Sequence, residues 1–125
     1  MTQPVPVVSL EDVERILGRD FPGDRGVMAR ALLAEYGRRA WHREPVRVWL
    51  AALKLADGRL DRLRRAIDLA DDDYRDVLAA AEYPRYSSTV PPHARPSAAT
   101  AAVTAEDARQ YAEWLRRDGV VRQRS

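Results

Sequence analysis

The sequence predicts an all-α protein: a compact bundle of about five short helices, followed by a C-terminal helix on a Pro-rich tether. Three observations support this class. Apolar residues recur at helical spacing, sustained alternation of apolar and polar residues is missing, and glycine, proline and acidic residues separate the periodic segments. We expect a helical bundle domain over 9–84, a Pro-rich linker over 85–103 and a last helix over 104–119, packed on the bundle or on a second copy.

Two short helices open the predicted bundle. Ser9, followed three residues later by Asp12, resembles a capping box, and Gly18 is placed to end the first helix. Asp24 is the expected N-cap of the second helix, which we expect to continue to Gly37. Its predicted apolar stripe comprises Val27, Met28, Ala31, Leu32 and Tyr36.

The third helix is the most apolar segment of the chain. Pro45 suits a first helical turn, because the backbone N–H that proline lacks is unpaired there in any case. Between residues 46 and 56 only Arg47 and Lys54 are polar. A helix that is apolar on nearly all sides is buried, so we predict that this is the central helix of the fold and that Gly58 ends it.

Two further predicted helices are separated by Asp71–Asp73, since acidic side chains suit a helix start. From residue 83 to residue 103, four prolines with serines and threonines between them predict irregular structure. Thr104, with Asp107 three residues later, is the expected cap of the last helix, and Gly119 is its expected end.

Length and composition limit the classes of protein that the chain can represent. Its 125 residues suffice for one domain with a single core, and the absence of cysteine excludes thiol catalysis and cysteine-ligated zinc. The start of the chain lacks the features of a secretory signal, and no apolar run is long enough to cross a bilayer. We therefore expect a soluble, cytoplasmic protein without a membrane partner. The net charge of only +2 predicts a surface of mixed sign.

The polar edge of the third helix is basic. Arg47 and Lys54 lie seven residues apart with Ala51 between them, so they share one face. That face could hold a carboxylate or phosphate by charge-assisted hydrogen bonds, or pair internally with a neighbouring helix. We favour an internal ion pair, with Asp72, Asp76 or Glu82 as the partner.

A second polar and aromatic group lies in the segment from Tyr74 to Tyr83. It could either hold its helix against its neighbours or form an interaction edge; we favour the structural role. We expect Trp49 in the core and Trp114 to dock the last helix. The candidate interaction residues are Arg43, Arg47, Lys54, Arg75, Asp76, Glu82, Tyr83, Tyr111 and Trp114.

Catalytic, metal and cofactor motifs are missing from the sequence. The Asp71–Asp73 run could bind a divalent cation, but consecutive acids at a helix start point in different directions, so capping is the favoured interpretation. His42 and Glu44 are too close in sequence to face each other on a helix. We therefore predict no catalytic, metal or cofactor residues, and we expect His42 to be a surface or capping residue.

Two strings, RVWLAALKLADG (Arg47–Gly58) and DYRDVLAAAEYP (Asp73–Pro84), resemble a family of small bacterial proteins of uncharacterised function. The resemblance covers about residues 36–84 and implies an all-helical fold. It implies no activity. Trp49 departs from the smaller or polar residue that the family pattern leads us to expect, and the segment after Pro84 falls outside the shared block.

Three hypotheses of function remain open. The favoured one is a non-enzymatic interaction module that binds an unidentified protein partner or a second copy of itself. The alternative is a nucleic-acid-binding accessory protein, which requires its arginines to converge on one face: Arg38, Arg39, Arg43, Arg62 and Arg65. The third is a small enzyme, or an enzyme subunit, with a pocket around Tyr74–Glu82.

Overall fold

The structure is a computed structural model that describes residues 5–117, and in this range it is all-α, as predicted. The six helices are α1 (Leu10–Asp20), α2 (Asp24–Leu33), α3 (Pro45–Ala56), α4 (Leu60–Glu82), α5 (Pro84–Thr89) and α6 (Ala98–Arg116). α3 packs chiefly against α4, while α1 lies against α3 and α2 lies against α4. One hydrophobic core joins α1, α2, α3, α4 and α6.

The central helix is the one that the sequence predicts. α3 begins with Pro45 in its first turn, and six of its twelve residues are buried. It ends at Ala56, where Asp57 and Gly58 take left-handed backbone conformations with φ of 49° and 79°. Trp49, predicted in the core, is only half-buried at its edge, and its indole Nε1 donates to the Tyr36 carbonyl at 3.1 Å.

α1 starts as predicted but extends further. The Ser9 backbone N–H donates to Asp12 Oδ2 at 3.0 Å, in a capping box. The predicted stop at Gly18 is wrong, since the helix continues to Asp20. A tertiary contact stabilises these two extra residues, because the buried Arg19 side chain donates to the Trp114 carbonyl at 2.7 Å while it pairs with Asp20 at 2.8 Å.

α2 is rotated relative to its predicted stripe and ends at Leu33 rather than Gly37. Ala29 and Leu33 are buried, whereas Val27 and Met28 are 70% and 58% exposed. Gly26 explains the rotation. A Cβ at this position would lie 2.7 Å from the Phe21 carbonyl oxygen, so the helix approaches the Phe21 backbone along a face that only glycine permits.

Two glycine substitutions test this explanation. We expect Gly26→Ala to lower the free energy of unfolding by about 1–3 kcal/mol, because the added methyl collides with backbone. Gly18→Ala is the matched control: it also lies in a helix, its Cβ would meet nothing within 4 Å, and we expect it to stabilise by about 0.5–1 kcal/mol. Urea unfolding of both variants measures the difference, and equal effects would show that Gly26 does not position α2.

The predicted interruption at Asp71–Asp73 is confirmed. α4 contains one residue of non-helical backbone, Asp73, with φ −153° and ψ 100°. Its Oδ1 accepts the backbone N–H of Arg75 at 3.0 Å, so the carboxylate caps the second half of the helix. The capping interpretation of the acidic run therefore holds for Asp73.

The prediction of irregular structure over 85–103 holds only for residues 90–97, and the predicted helix start at Thr104 is wrong. α5 follows Pro84 directly, and α6 begins at Ala98, where Ser97 and Thr100 form a capping box. Asp107 has a different partner from the predicted one: its carboxylate accepts the backbone N–H groups of Arg85 at 3.2 Å and Tyr86 at 2.9 Å. It therefore stabilises the start of α5 from a neighbouring helix. Gly119 lies outside the described residues.

Candidate functional site

Arg47 and Glu82 form the internal ion pair that the sequence favoured. Arg47 Nε lies 2.7 Å from Glu82 Oε2, and Nη2 lies 2.6 Å from Oε1, so the contact is bidentate. The hydrogen bonds to Glu82 are the main cause of a raised pKa of the Arg47 guanidinium. Both side chains are largely buried, and the pair joins α3 to the end of α4. The guanidinium of Arg47 and the carboxylate of Glu82 therefore neutralise each other.

Lys54, the other basic residue of α3, is half-buried and makes no salt bridge with any described residue. Burial lowers the pKa of its ammonium group, and the negative charge of Asp107 partly opposes that effect. Arg47 and Lys54 therefore differ: the first is bound to a carboxylate and the second is not.

Arg43 and Arg75 meet at one surface cleft, of about 400 Å³, which Trp41, Tyr74 and the Asp71–Asp73 run also line. Arg75 pairs with Asp73 at 3.1 Å, and its pKa is raised by that contact. The backbone of Arg43 is held by the Tyr36 hydroxyl, which donates to its carbonyl at 2.8 Å. Asp76 is exposed and does not line this cleft.

His42 was expected to be a surface or capping residue; it is buried rather than on the surface, and its ring caps backbone N–H groups. Its Nδ1 accepts the backbone N–H groups of Gly37 at 2.7 Å and Arg39 at 3.2 Å, which places the ring proton on Nε2. Nε2 then donates to Asp71 Oδ1 at 2.6 Å, and the ring stacks on Tyr36. Both ring nitrogens are therefore engaged within the protein.

Tyr111 and Trp114 belong to the core and hold α6 on the bundle. Trp114 docks the helix as predicted: it is 5% exposed, and the Arg19 guanidinium lies 5.2 Å from its ring centroid. Arg19 also donates to the Trp114 carbonyl at 2.7 Å, and Arg15 donates to the Leu115 carbonyl at 2.6 Å. Two arginines of α1 therefore satisfy the last carbonyl groups of α6.

The arginines of the nucleic-acid hypothesis lie among carboxylates. Arg38 and Arg39 line a polar cleft together with Glu35, Asp68 and Asp71. Arg43 lines the cleft with the Asp71–Asp73 run, and Arg65 pairs with Asp61. Phosphate binding favours a continuous basic face, and at each of these positions a carboxylate lies beside the arginine.

An open apolar feature of the surface was missed by the sequence interpretation. Two adjoining concavities, of about 400 and 370 Å³, follow the seam between α1 and α2 and share Glu14, Leu17 and Arg30 as lining residues. We call them together the α1–α2 groove. Leu10, 59% exposed, lines one end and Val27 lines the other. The predicted apolar stripe of α2 placed Val27 in the core. The face of α2 that packs on the bundle instead carries the small residues Gly26 and Ala29.

Glu14 and Arg30 face each other across the α1–α2 groove. Arg30 Nη1 lies 2.5 Å from Glu14 Oε2, and Nη2 lies 2.8 Å from Oε1. The contact lowers the pKa of the Glu14 carboxyl, chiefly through the hydrogen bond from Arg30. Both side chains are more than half exposed, so the pair contributes little to stability and is free to rearrange.

No protein-family model matches this chain, and no curated protein or solved structure is significantly similar to it. The resemblance to small bacterial proteins thus stays a prediction. None of the helices among residues 5–117 has the length and apolar character needed to span a bilayer. In the same residues no three His, Asp or Glu side chains are grouped so that they could hold a metal ion.

Proposed function

We propose that this protein is a non-enzymatic interaction module that binds an amphipathic helix of a partner protein in the α1–α2 groove. The observation that carries the proposal is the open groove itself, with apolar side chains exposed at both of its ends. Amphipathic helices bind to such grooves through apolar side chains at i, i+3, i+4 and i+7.

The dimensions of the groove suit one helix. α1, which forms one wall, has 11 residues, and a helix of that length extends over about 16 Å, or three turns. An apolar stripe at i, i+4 and i+7 extends over about 10 Å, or two turns, so it fits within the length of this wall. Exposed apolar side chains around a concave surface are typical of interaction sites.

The charges on the groove support a helix with polar flanks. Glu14 and Arg30 line both concavities, so an occupant meets one carboxylate and one guanidinium at the middle of the groove. A partner helix with one acidic and one basic residue beside its apolar stripe can pair with both.

Charge substitution in the groove tests the proposal. We expect the double variant Leu10→Glu/Val27→Glu to lose capture of the partner from a native lysate, because two charges would be buried against its apolar stripe. Both side chains are mostly exposed, so the melting temperature should change little. Leu69→Glu on α4, a partly exposed leucine outside the groove, is the matched control.

Three measurements decide the result: partner capture, melting temperature and sedimentation. The proposal requires capture by the wild type and by Leu69→Glu, and its loss in the double variant with the fold retained. Equal capture by all three proteins would contradict it. If the wild type sediments as a dimer and the double variant as a monomer, the occupant of the groove is a second copy of this chain rather than a partner protein.

A further inference from the structure

Another cavity lies between the N-terminal arm (residues 5–9), the end of α4 and α6, and three of the candidate interaction residues line it: Glu82, Tyr83 and Tyr111. It has a volume of about 230 Å³, and most of its wall is apolar, with Val5, Val7, Ala112 and Leu115 among the lining residues. Val7 is almost fully exposed and Val5 is more than half exposed. An apolar occupant would cover both valines.

One residue that lines this cavity, Tyr111, has a buried hydroxyl group without a partner among the described residues. Tyr111 is 3% exposed, and its hydroxyl oxygen has no hydrogen bond to any described residue. Burial raises the pKa of this phenol, with a further contribution from the charge of Glu82, so the group stays protonated and can donate. Buried hydroxyls are nearly always paired, and an unpaired one beside a cavity indicates a missing acceptor.

Among the described residues, the one charge on the wall that lacks an opposite charge is positive. Glu82 also lines the cavity, but both of its oxygens accept hydrogen bonds from Arg47. Arg116 lines the cavity as well, is exposed, and makes no ion pair with any residue of the described part of the chain. An anionic group is therefore favoured over a cationic one.

We propose that this cavity binds a small monocarboxylate with an apolar body. The hydrocarbon part lies against Val7, Ala112 and Leu115, and the carboxylate pairs with the Arg116 guanidinium and accepts the Tyr111 hydroxyl. The volume is below the usual range of about 300–1,000 Å³ for small-molecule sites, so the ligand is smaller than a typical cofactor. This site shares no residue with the α1–α2 groove and stands independently of it.

Three probes with the same six-carbon chain separate the contribution of the polar head group to the binding affinity from that of the hydrocarbon chain. Isothermal titration with hexanoate, hexanol and hexylamine measures the affinity of an anion, a neutral molecule and a cation. We expect saturable binding at one site, with hexanoate about tenfold tighter than hexanol, as a charge-assisted hydrogen bond supplies. We expect hexylamine to bind most weakly.

Two variants assign the roles of the polar residues. We expect Arg116→Gln to reduce the affinity for hexanoate to that for hexanol. We expect Tyr111→Phe to weaken hexanoate binding about fivefold to tenfold while leaving the melting temperature unchanged or higher, because the unpaired hydroxyl is removed. Arg62→Gln, an exposed arginine on α4 outside this cavity, is the control and should bind like the wild type.

The proposal is overturned by any of three results. These are no saturable binding of any probe, equal affinity for hexanoate and hexanol, or unchanged hexanoate affinity in both Tyr111→Phe and Arg116→Gln. Amide chemical shifts locate the site independently of the variants. Hexanoate should move the signals of Ala108 and Ala112, and shifts confined to other helices would also overturn the assignment.

Discussion

Replacing Arg19 by alanine is expected to lower the free energy of unfolding by about 3–5 kcal/mol, the usual effect of removing one partner of a buried ion pair. The Arg19 side chain is 3% exposed and pairs with the buried carboxylate of Asp20. It also donates to the carbonyls of Trp114 and Arg117 and covers the Trp114 ring. The variant therefore loses the Asp20 pair and the α6 contacts together.

Arg15→Ala is the matched control for this prediction. Arg15 lies one turn earlier on α1 and also donates to a carbonyl of α6, but its side chain is 45% exposed. We expect it to cost less than about 1 kcal/mol, because water replaces the lost contacts. Urea unfolding measures both variants, and near-UV circular dichroism reports the packing of Trp114. Similar small effects of the two substitutions would show that α6 does not depend on the buried arginine.

Glu82→Gln is expected to have the other large effect, a loss of about 2–4 kcal/mol in the free energy of unfolding. The substitution keeps the size of the side chain but removes the charge that neutralises Arg47, which is 15% exposed at the side chain. A guanidinium buried without its carboxylate is costly, since its desolvation is no longer compensated. Chemical unfolding at neutral pH measures the loss.

Two further variants distinguish the loss of the Arg47–Glu82 ion pair from a nonspecific loss of stability. Glu44→Gln removes a second carboxylate from the same arginine, 3.1 Å away, but Glu44 is half exposed, so we expect less than about 0.5 kcal/mol. The double variant Arg47→Met/Glu82→Leu should recover most of the stability lost in Glu82→Gln, because it removes both charges. A double variant less stable than Glu82→Gln would contradict the view that the cost lies in the unpaired charge.

Local signals in the sequence were sufficient for the centre of the fold. The start and end of α3 follow from Pro45 and from the left-handed turn at Asp57 and Gly58. The interruption of α4 at Asp73 follows from the preference of a carboxylate for free backbone N–H groups. The Arg47–Glu82 pair could be foreseen because α3 offers so few polar residues to its neighbour.

Contacts distant in sequence decided the elements that were predicted incorrectly. α5 was missed because its N-terminal N–H groups are satisfied by Asp107, more than twenty residues away. α1 continues beyond Gly18 because its last turn is held by α6. Neither partner can be read from the local sequence.

The candidate site was the least predictable part of the molecule. The residues chosen from the sequence were conspicuous for charge or aromaticity, and the structure uses Arg47, Glu82, Tyr111 and Trp114 inside the fold. The α1–α2 groove depends instead on the rotation of α2, which the contact between Gly26 and the Phe21 carbonyl imposes. A glycine at that position has many possible causes, so its consequence for the surface could not be derived beforehand.

Site-specific photo-cross-linking from the groove is the most direct test of the proposed function. A photoreactive phenylalanine derivative at Val27, activated in living cells, should give one discrete adduct whose partner peptide carries an i, i+4, i+7 apolar stripe. The same group at Leu69, outside the groove, should give none. Adducts of equal yield from both positions, or a Val27 adduct with a peptide lacking such a stripe, would contradict the assignment of the α1–α2 groove as a helix-binding site.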